Sequence, residues 1–527
     1  MKVAVYNRWL HQKGGGERHA AMAAAVLAER FDAAELITHR ALPRQELESA
    51  LNIDLARVSI RVIPALPPNR FAEFTRGYDL FVNASFMTNQ PSDARRSMLL
   101  VLFPSPIDRS WRARLRQAIG RRLIRELLMA EWLDGFYDVQ ELGAGWFRYA
   151  SDRGTVRVRV PPGRTPVPIE VVAGNFRAAG SLSVRCLAGD ESIAQHEFPP
   201  TPGDFSVWNI EVDRRFIGDR RVDLTFESLT YNPADGYGDG DNREVGLAVT
   251  DVRVKHPRHY LYELLFRRTF RELGLRLEGL PTYYSFEHLD SYDLICPISQ
   301  FSLRWMRHYW GRDGPILYPP VDTSWAAPAT KRQIILGVGR FFRGTHEKKH
   351  SVMIEQFVRL LRDGLRGWTL HLAGHQSRRE IDLAYTEGLR RQAQGHPIEF
   401  HVDADFPELK RLYTDAGIYW HAAGHGERED RDPVKFEHFG ITVVEAMASG
   451  AVPLVLNKGG LPELVTDGTD GFHWASGGEL RERTWQLIRA PDLRERMAAA
   501  ARASSERFNT ATFRTHLNQL VDELGFA

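Results

Sequence analysis

Cysteine is nearly absent: only Cys186 and Cys296 occur, far apart in the chain. Two such residues argue against a disulfide framework and a cysteine-rich zinc site, and they fit a reducing compartment. Long apolar runs are missing as well. No stretch approaches the roughly 18 apolar residues of a membrane-crossing helix. The opening MKVAVYNRWLHQ has no long apolar core of the kind a secretory signal carries. An excess of one charge is lacking too. The formal net charge is +2, so no whole-protein field points to nucleic acid as a partner. No internal repeat or low-complexity tract stands out. A cytoplasmic protein is the expectation, with peripheral attachment at the inner face of a membrane left open.

What is present is ordinary globular material, 43% hydrophobic and 26% charged. At 527 residues it is too long for one core, so about two to four domains are expected. Its texture changes along the chain. Residues 1–135 alternate short apolar runs at 3–6, 35–38, 59–63, 79–83 and 98–103 with helical patterns, which reads as α/β with a largely parallel sheet. Between 136 and 255 period-2 runs such as TVRVRV and RVDLTF dominate, separated by Pro, Gly and Asp. That stretch predicts an antiparallel β-sandwich or jelly roll. The α/β rhythm resumes at 256–325, so the β-region reads as an insertion into the first domain. A second α/β domain is expected over 330–510, with strands at 334–339, 369–374, 398–402, 418–422 and 452–457.

The chemistry concentrates in that second domain. GVGR at 337–340 ends a predicted strand, and HEKKH follows at 346–350. Glycines after a strand let a diphosphate approach the backbone. Arg340 offers a planar fork to phosphate oxygens, and Lys348 a point charge. The stretch KFEHFGITVVEAMASG at 435–450 places Glu437 and Glu445 around a Phe439-Gly440 turn before a short helix. Thr442-x-x-Glu445 also has the wording of a capping box. Carboxylates accept from sugar hydroxyls, and a helix N-terminus offers unpaired N–H groups to a phosphate.

These segments resemble the donor site of glycosyltransferase family 4, the group 1 retaining enzymes of GT-B fold. KFEHFGITVVEAMASGAVPLVLNKGGLPELV carries the resemblance most specifically. GVGRFF…HEKKH is similar to the family's Arg…Lys diphosphate segment, and KGGGERH at 13–19 to its N-terminal Gly-rich loop. The GGGER wording, ISQFSLRWM and LYPPVD are similar to the lipid-linked-oligosaccharide α-1,2-mannosyltransferase branch. The resemblance implies two Rossmann-like domains facing a cleft, with residues 511–527 forming a helix that returns toward the N-terminal domain. It implies a metal-independent retaining transferase that moves a sugar, mannose first, from a GDP- or UDP-linked donor to a glycan or lipid-linked glycan, with no cofactor. By that resemblance Arg340 and Lys348, with Gly339 and neighbouring Lys349, meet the diphosphate. Glu437 meets the transferred sugar and Glu445 the ribose. Gly440, Ile441 and Thr442 present backbone N–H groups, and Gly14, Gly15 and Gly16 bring the other domain close.

Other segments point elsewhere. Asp430-Arg431-Asp432 and Asp403-Ala404-Asp405 spell D-x-D, and DGYGDGDN at 235–242 offers oxygen ligands suited to calcium. All three sit in polar text that reads as turns. Residues 109–128 interleave arginines with apolar residues at helical spacing, a basic amphipathic pattern suited to an anionic membrane surface, and 256–276 repeats the pattern. Trp146, Phe147, Tyr149, Trp208, Tyr231 and Tyr237 are candidates for a glycan-stacking platform. A GT-B phosphorylase or epimerase, or a non-catalytic glycan-binding scaffold, is the alternative function. The pyridoxal-phosphate chemistry of a phosphorylase needs a lysine in an apolar strand of the second domain, where none stands.

Overall fold

The computed structural model describes residues 1–526 except 32, 64, 65, 67, 107–111, 113, 114, 116, 117, 120, 121, 124, 125, 138, 144, 164, 165, 232–242, 272, 276–286, 327, 328, 345 and 377–379. The N-terminal sheet has six parallel strands in the order Leu294–Pro297, Arg96–Val101, Leu80–Asn83, Val3–Tyr6, Ala34–Thr38, Val58–Val62. Val3–Tyr6 and Leu80–Asn83 are buried at every position. Both faces of their sheet are covered, which is why these strands read as unbroken apolar runs rather than as alternation. The helix Gly15–Arg30 buries the alanine-rich run Ala20–Ala24 against this sheet. Small side chains there let the helix axis approach closely.

Between Arg96–Val101 and Leu294–Pro297 the chain leaves this sheet and builds nine antiparallel strands. Their order is Glu191–Phe198, Leu182–Ala188, Arg221–Ser228, Gly145–Arg159, Ala248–Arg253, Val167–Gly174, Ser206–Val212, with Ala130–Phe136 and Gln140–Leu142 also pairing Gly145–Arg159. The first of these, Ala130–Phe136, lies ahead of the composition change at 136. Gly145–Arg159 is long enough to serve two layers: its first part pairs Ala248–Arg253 and its second Arg221–Ser228. The layers share one core. Trp208 reaches Phe198 and Phe226 with ring centroids 6.0 and 6.2 Å away.

That packing corrects the glycan platform. Trp146, Phe147, Tyr149 and Trp208 are all buried, and Phe147 and Tyr149 pack edge-to-face within an aromatic cluster with Phe176. Their faces fill the interior and do not offer themselves to a sugar. Tyr231 is half-buried beside them, and Tyr237 lies outside the described residues, as does DGYGDGDN.

The C-terminal sheet is again six parallel strands: Ile398–Val402, Thr369–Gly374, Arg332–Val338, Ala416–His421, Val452–Leu456, Phe472–Trp474. The short last strand was not visible as a separate apolar run. The final helix, Thr510–Glu523, joins the N-terminal core through Phe513, Leu517, Leu520 and Val521. Burying four such side chains contributes about 1.5–3 kcal/mol each. The Arg30–Asp522 pair beside them, with Asp522 half exposed, adds at most about 1 kcal/mol. Apolar burial therefore holds this helix.

Most of 109–128 lies outside the described residues; among those described, Leu115, Ile119 and Leu123 are exposed. The second basic stretch forms a helix at Pro257–Tyr262 that continues as a π-helical turn at Glu263–Thr269, with Tyr262 and Phe266 buried and Tyr260, Leu261 and Leu264 exposed. Among the described residues no helix is long and apolar enough to cross a membrane.

Candidate functional site

The C-terminal ends of the second sheet's strands carry the polar residues. Strand Arg332–Val338 ends at Gly339, whose N–H donates to Ala373 at 2.8 Å. A Cβ on Gly339 would stand 2.4 Å from Cγ of Lys348. The missing side chain is thus what lets Lys348 lie across the strand end. From there Lys348 Nζ donates to Oε2 of Glu437. The same oxygen accepts from Nε2 of His421 at 3.0 Å, and His421 is the last residue of strand Ala416–His421. Burial pushes the Glu437 carboxyl up, but Lys348 and His421 together outweigh it and hold the group well below the usual carboxylate range. Glu437 is therefore a fixed anion. Three neighbouring imidazoles are neutral: burial lowers His346 to about 4, and His350 and His438 to about 3. Nδ1 of His421 is buried without a hydrogen-bond partner.

Gly440 follows, at φ 114°, a backbone conformation that other residues rarely adopt. It is the N-cap of helix Ile441–Ala448, and no side chain caps that end. The first-turn N–H groups of Ile441 and Thr442 thus receive no side-chain oxygen. This corrects the capping-box reading of Thr442 and Glu445. Thr442 Oγ1 accepts from the Tyr419 hydroxyl at 2.8 Å. Glu445 lies a turn into the helix, accepts from the Tyr413 hydroxyl at 2.8 Å and faces Arg18. Burial raises the Glu445 carboxyl, and Arg18 and Tyr413 offset only part of that rise.

The N-terminal domain closes the site. Gly14 caps helix Gly15–Arg30, and its N–H donates to the Glu17 carboxylate at 2.9 Å. A Cβ on Gly15 would come within 2.6 Å of Ile441 Cδ1, and one on Gly16 within 2.8 Å of Leu102 Cδ2. The glycine loop therefore touches the free end of helix Ile441–Ala448 directly. Ser299 Oγ donates to the His438 carbonyl at 2.6 Å, and the Gln300 N–H to Glu463 at 2.8 Å, so further bonds cross the same boundary.

The candidate residues do not all converge. Glu437, Lys348, Gly339, Gly440, Ile441, Thr442 and Glu445 share this strand-end surface, with Gly14–Gly16 against it. Arg340 is exposed, with its guanidinium 5.4 Å from the Phe342 ring. Burial raises the Glu17 carboxyl, and Arg340 is one of the groups pulling it back, so that charge lies toward the glycine loop. Lys349 turns away: at φ 57° its ammonium reaches Glu427 at 2.9 Å. The D-x-D acids are otherwise engaged. Asp430 pairs Arg428, Asp403 pairs His375, and Asp405 caps helix Phe406–Asp415. Asn83, the last residue of strand Leu80–Asn83, donates to the Tyr292 hydroxyl at 2.8 Å, and Ser85 accepts from the Arg8 N–H. Sequence reasoning missed His421, Arg18 and His346. For His421 the usable signal was its place at the C-terminal end of a parallel strand. For Arg18 it was adjacency to the glycine loop.

Residues 325–504 match the family model described as Glycosyl transferases group 1. The GDP-Man:Man(3)GlcNAc(2)-PP-Dol alpha-1,2-mannosyltransferase of Dictyostelium discoideum is 27% identical over 239 residues, covering 42% of this chain and 44% of that protein. The GDP-mannose:cellobiosyl-diphosphopolyprenol alpha-mannosyltransferase of Komagataeibacter xylinus is 31% identical over 150 residues, 28% of this chain and 33% of that protein. The matches thus span less than half the length of either relative. A glycosyltransferase from Rickettsia africae ESF-5 superposes with a TM-score of 0.52 at 10% identity, over 100% of this chain and 99% of that chain. At that identity the likeness carries the fold alone, two α/β domains in the GT-B arrangement.

Proposed function

We propose, from the match of residues 325–504 to the family model described as Glycosyl transferases group 1, that this chain moves a sugar from a nucleotide-diphosphate sugar to a glycan or lipid-linked glycan acceptor, with retention and without a metal ion. The supporting observation is the ionised Glu437, held between Lys348 and His421 beside the uncapped end of helix Ile441–Ala448. Mannose from GDP-mannose is the first choice of donor, supported by relatives whose names carry GDP-Man and GDP-mannose. Their PP-Dol and diphosphopolyprenol wording supports a lipid-linked acceptor and a place at the inner face of a membrane.

Breaking the anomeric bond leaves negative charge on the departing diphosphate. Lys348, Arg340 and the first-turn N–H groups of Ile441 and Thr442 stabilise it, and one such preorganised donor is worth about 3 kcal/mol. Lys348 neutralises Glu437 until the diphosphate competes for its ammonium. Glu437 then accepts from hydroxyls of the transferred sugar, with His421 keeping it ionised. Glu445 accepts from the ribose. Gly14–Gly16 bring the N-terminal backbone up to the reacting centre. Residues 1–135 with 256–325 form the acceptor domain, and the β-sandwich of 136–255 is an insertion serving a structural role.

The test is turnover on a panel of GDP- and UDP-sugars. Glu437→Ala should lower kcat by about 10²–10³-fold while donor binding changes little, and Glu445→Ala should weaken donor binding more than kcat. Equal losses in both would refute this division. No binding of any nucleotide-sugar would refute the function.

A further inference from the structure

We propose a zinc site on the outer strands of the C-terminal sheet, formed by His371, Glu399 and His401. The three residues come from neighbouring parallel strands, Thr369–Gly374 and Ile398–Val402. In their register His371 lies opposite Glu399, and Ala373 opposite His401. Residues two apart on a strand share a face, so Glu399 and His401 stand together, and His371 joins them from the adjacent strand.

The spacing suits an ion. His371 Nδ1 is 2.9 Å from His401 Nε2, and Glu399 Oε2 lies 3.7 Å from the first and 3.8 Å from the second. Zinc binds imidazole nitrogen and carboxylate oxygen at about 2.0–2.2 Å, which sets tetrahedral ligands about 3.4 Å apart. The three edges bracket that value. Only small side-chain shifts separate this triangle from a coordination face.

The ring nitrogens that would not bind the metal are already held. His401 Nδ1 meets Glu408 Oε1 at 2.8 Å, and His371 Nε2 meets Thr369 Oγ1 at 3.0 Å. When those nitrogens carry the protons, Nε2 of His401 and Nδ1 of His371 both present lone pairs to the same point. The carboxylate behind a ligating histidine is the usual support of a zinc ligand. Glu408 is itself positioned, because its N–H donates to the N-cap Asp405 at 2.8 Å.

A two-histidine, one-carboxylate set selects zinc over calcium or magnesium. Glu399 is exposed, so the fourth position opens to water. The strand bearing His421 lies two strands further into the sheet, which separates this site from Glu437. Its role is to fasten the edge strand and helix Phe406–Asp415 to the sheet. The other acid–histidine group, Asp251, His259 and Glu263, has the cations Arg253 and Arg267 facing Asp251 and does not suit a metal.

Calorimetric titration of Zn²⁺ into the full chain, chelator-treated and free of a histidine tag, tests the proposal. One Zn²⁺ per chain is expected. Binding should be lost in His371→Ala and His401→Ala, and weakened about 10–100-fold in Glu408→Gln. The surface variant Glu399→Gln, whose fold circular dichroism can verify, should lose both tight binding and the zinc-induced rise in Tm. Absence of stoichiometric binding, or binding unchanged in Glu399→Gln and His401→Ala, would overturn it.

Discussion

Arg18 and Glu445 meet across the boundary between the two α/β domains, with Nη1 of the guanidinium 3.6 Å from Oε1 of the carboxylate. Arg18 also stands 3.7 Å from Asp322, both Arg18 and Glu445 side chains are 10% exposed, and Arg18 Nε and Nη2 have no hydrogen-bond partner. One cation thus serves two acids in a nearly dry setting. Removing one partner of such a pair leaves an uncompensated buried charge, which costs about 3–5 kcal/mol. Arg18→Gln should lower stability by about 3 kcal/mol in urea unfolding. The Arg18→Gln/Glu445→Gln double variant should recover at least half of that loss. A coupling below about 0.5 kcal/mol in the double-mutant cycle would mean that the two charges do not sense one another.

Gly339 and Gly15 should respond differently to alanine. At Gly339 the new Cβ meets the inner part of the Lys348 side chain at 2.4 Å, whereas at Gly15 it meets the terminal carbon of Ile441 at 2.6 Å. The end of an isoleucine swings aside easily; the root of the Lys348 chain does not. Gly339→Ala should cut kcat/KM for the donor at least about tenfold through a displaced phosphate ligand with little change in Tm. Gly15→Ala should stay within about threefold of wild type. Steady-state kinetics on both variants checks the contrast.

Lys348 and Lys349 are adjacent, yet only Lys348 reaches Glu437. Lys348→Gln should reduce kcat by about 10²-fold. Lys349→Gln, which loses the pairings with Glu427 and Glu347, should cost a fewfold in rate and show itself mainly in stability. Comparable kinetic losses would place both ammonium groups on the substrate.

The two glutamates should respond oppositely to pH. Glu437 titrates well below the ordinary 4.5 in the folded chain. Its stabilising contribution is complete above that ordinary value and is lost as pH falls through the folded pKa. Glu445 titrates above the ordinary value, so its contribution is complete below 4.5 and is lost as pH rises through the folded pKa. The stability difference between wild type and Glu437→Gln should therefore hold steady from pH 7 to about 4.5 and shrink only below it. The difference between wild type and Glu445→Gln should move in the favour of the glutamine variant as pH rises. Denaturant midpoints measured from about pH 2 to pH 8 decide it.

Much of the strand layout was legible because burial leaves a local imprint. Val3–Tyr6 and Val452–Leu456 are apolar throughout, as strands covered on both faces must be, and Arg221–Ser228 alternates. Phe472–Trp474 escaped notice because three residues are too few to show a period. The interior aromatics were ambiguous for a different reason: Trp208 and Tyr149 have the same local text whether they face a ligand or a second sheet.

The local code thus set the α/β rhythm, the antiparallel stretch between the parallel segments, the turn at Gly440 and the candidacy of Glu437 and Lys348. Each of these depends on neighbours within a few positions. Tertiary structure alone decided which lysine of the 348–349 pair meets Glu437, because the left-handed backbone of Lys349 aims its side chain toward Glu427. It also decided that His421 anchors Glu437 and that Arg18 meets Glu445. Those partners lie on different elements, and only packing of the sheets and closure of the two domains brings their charges within reach.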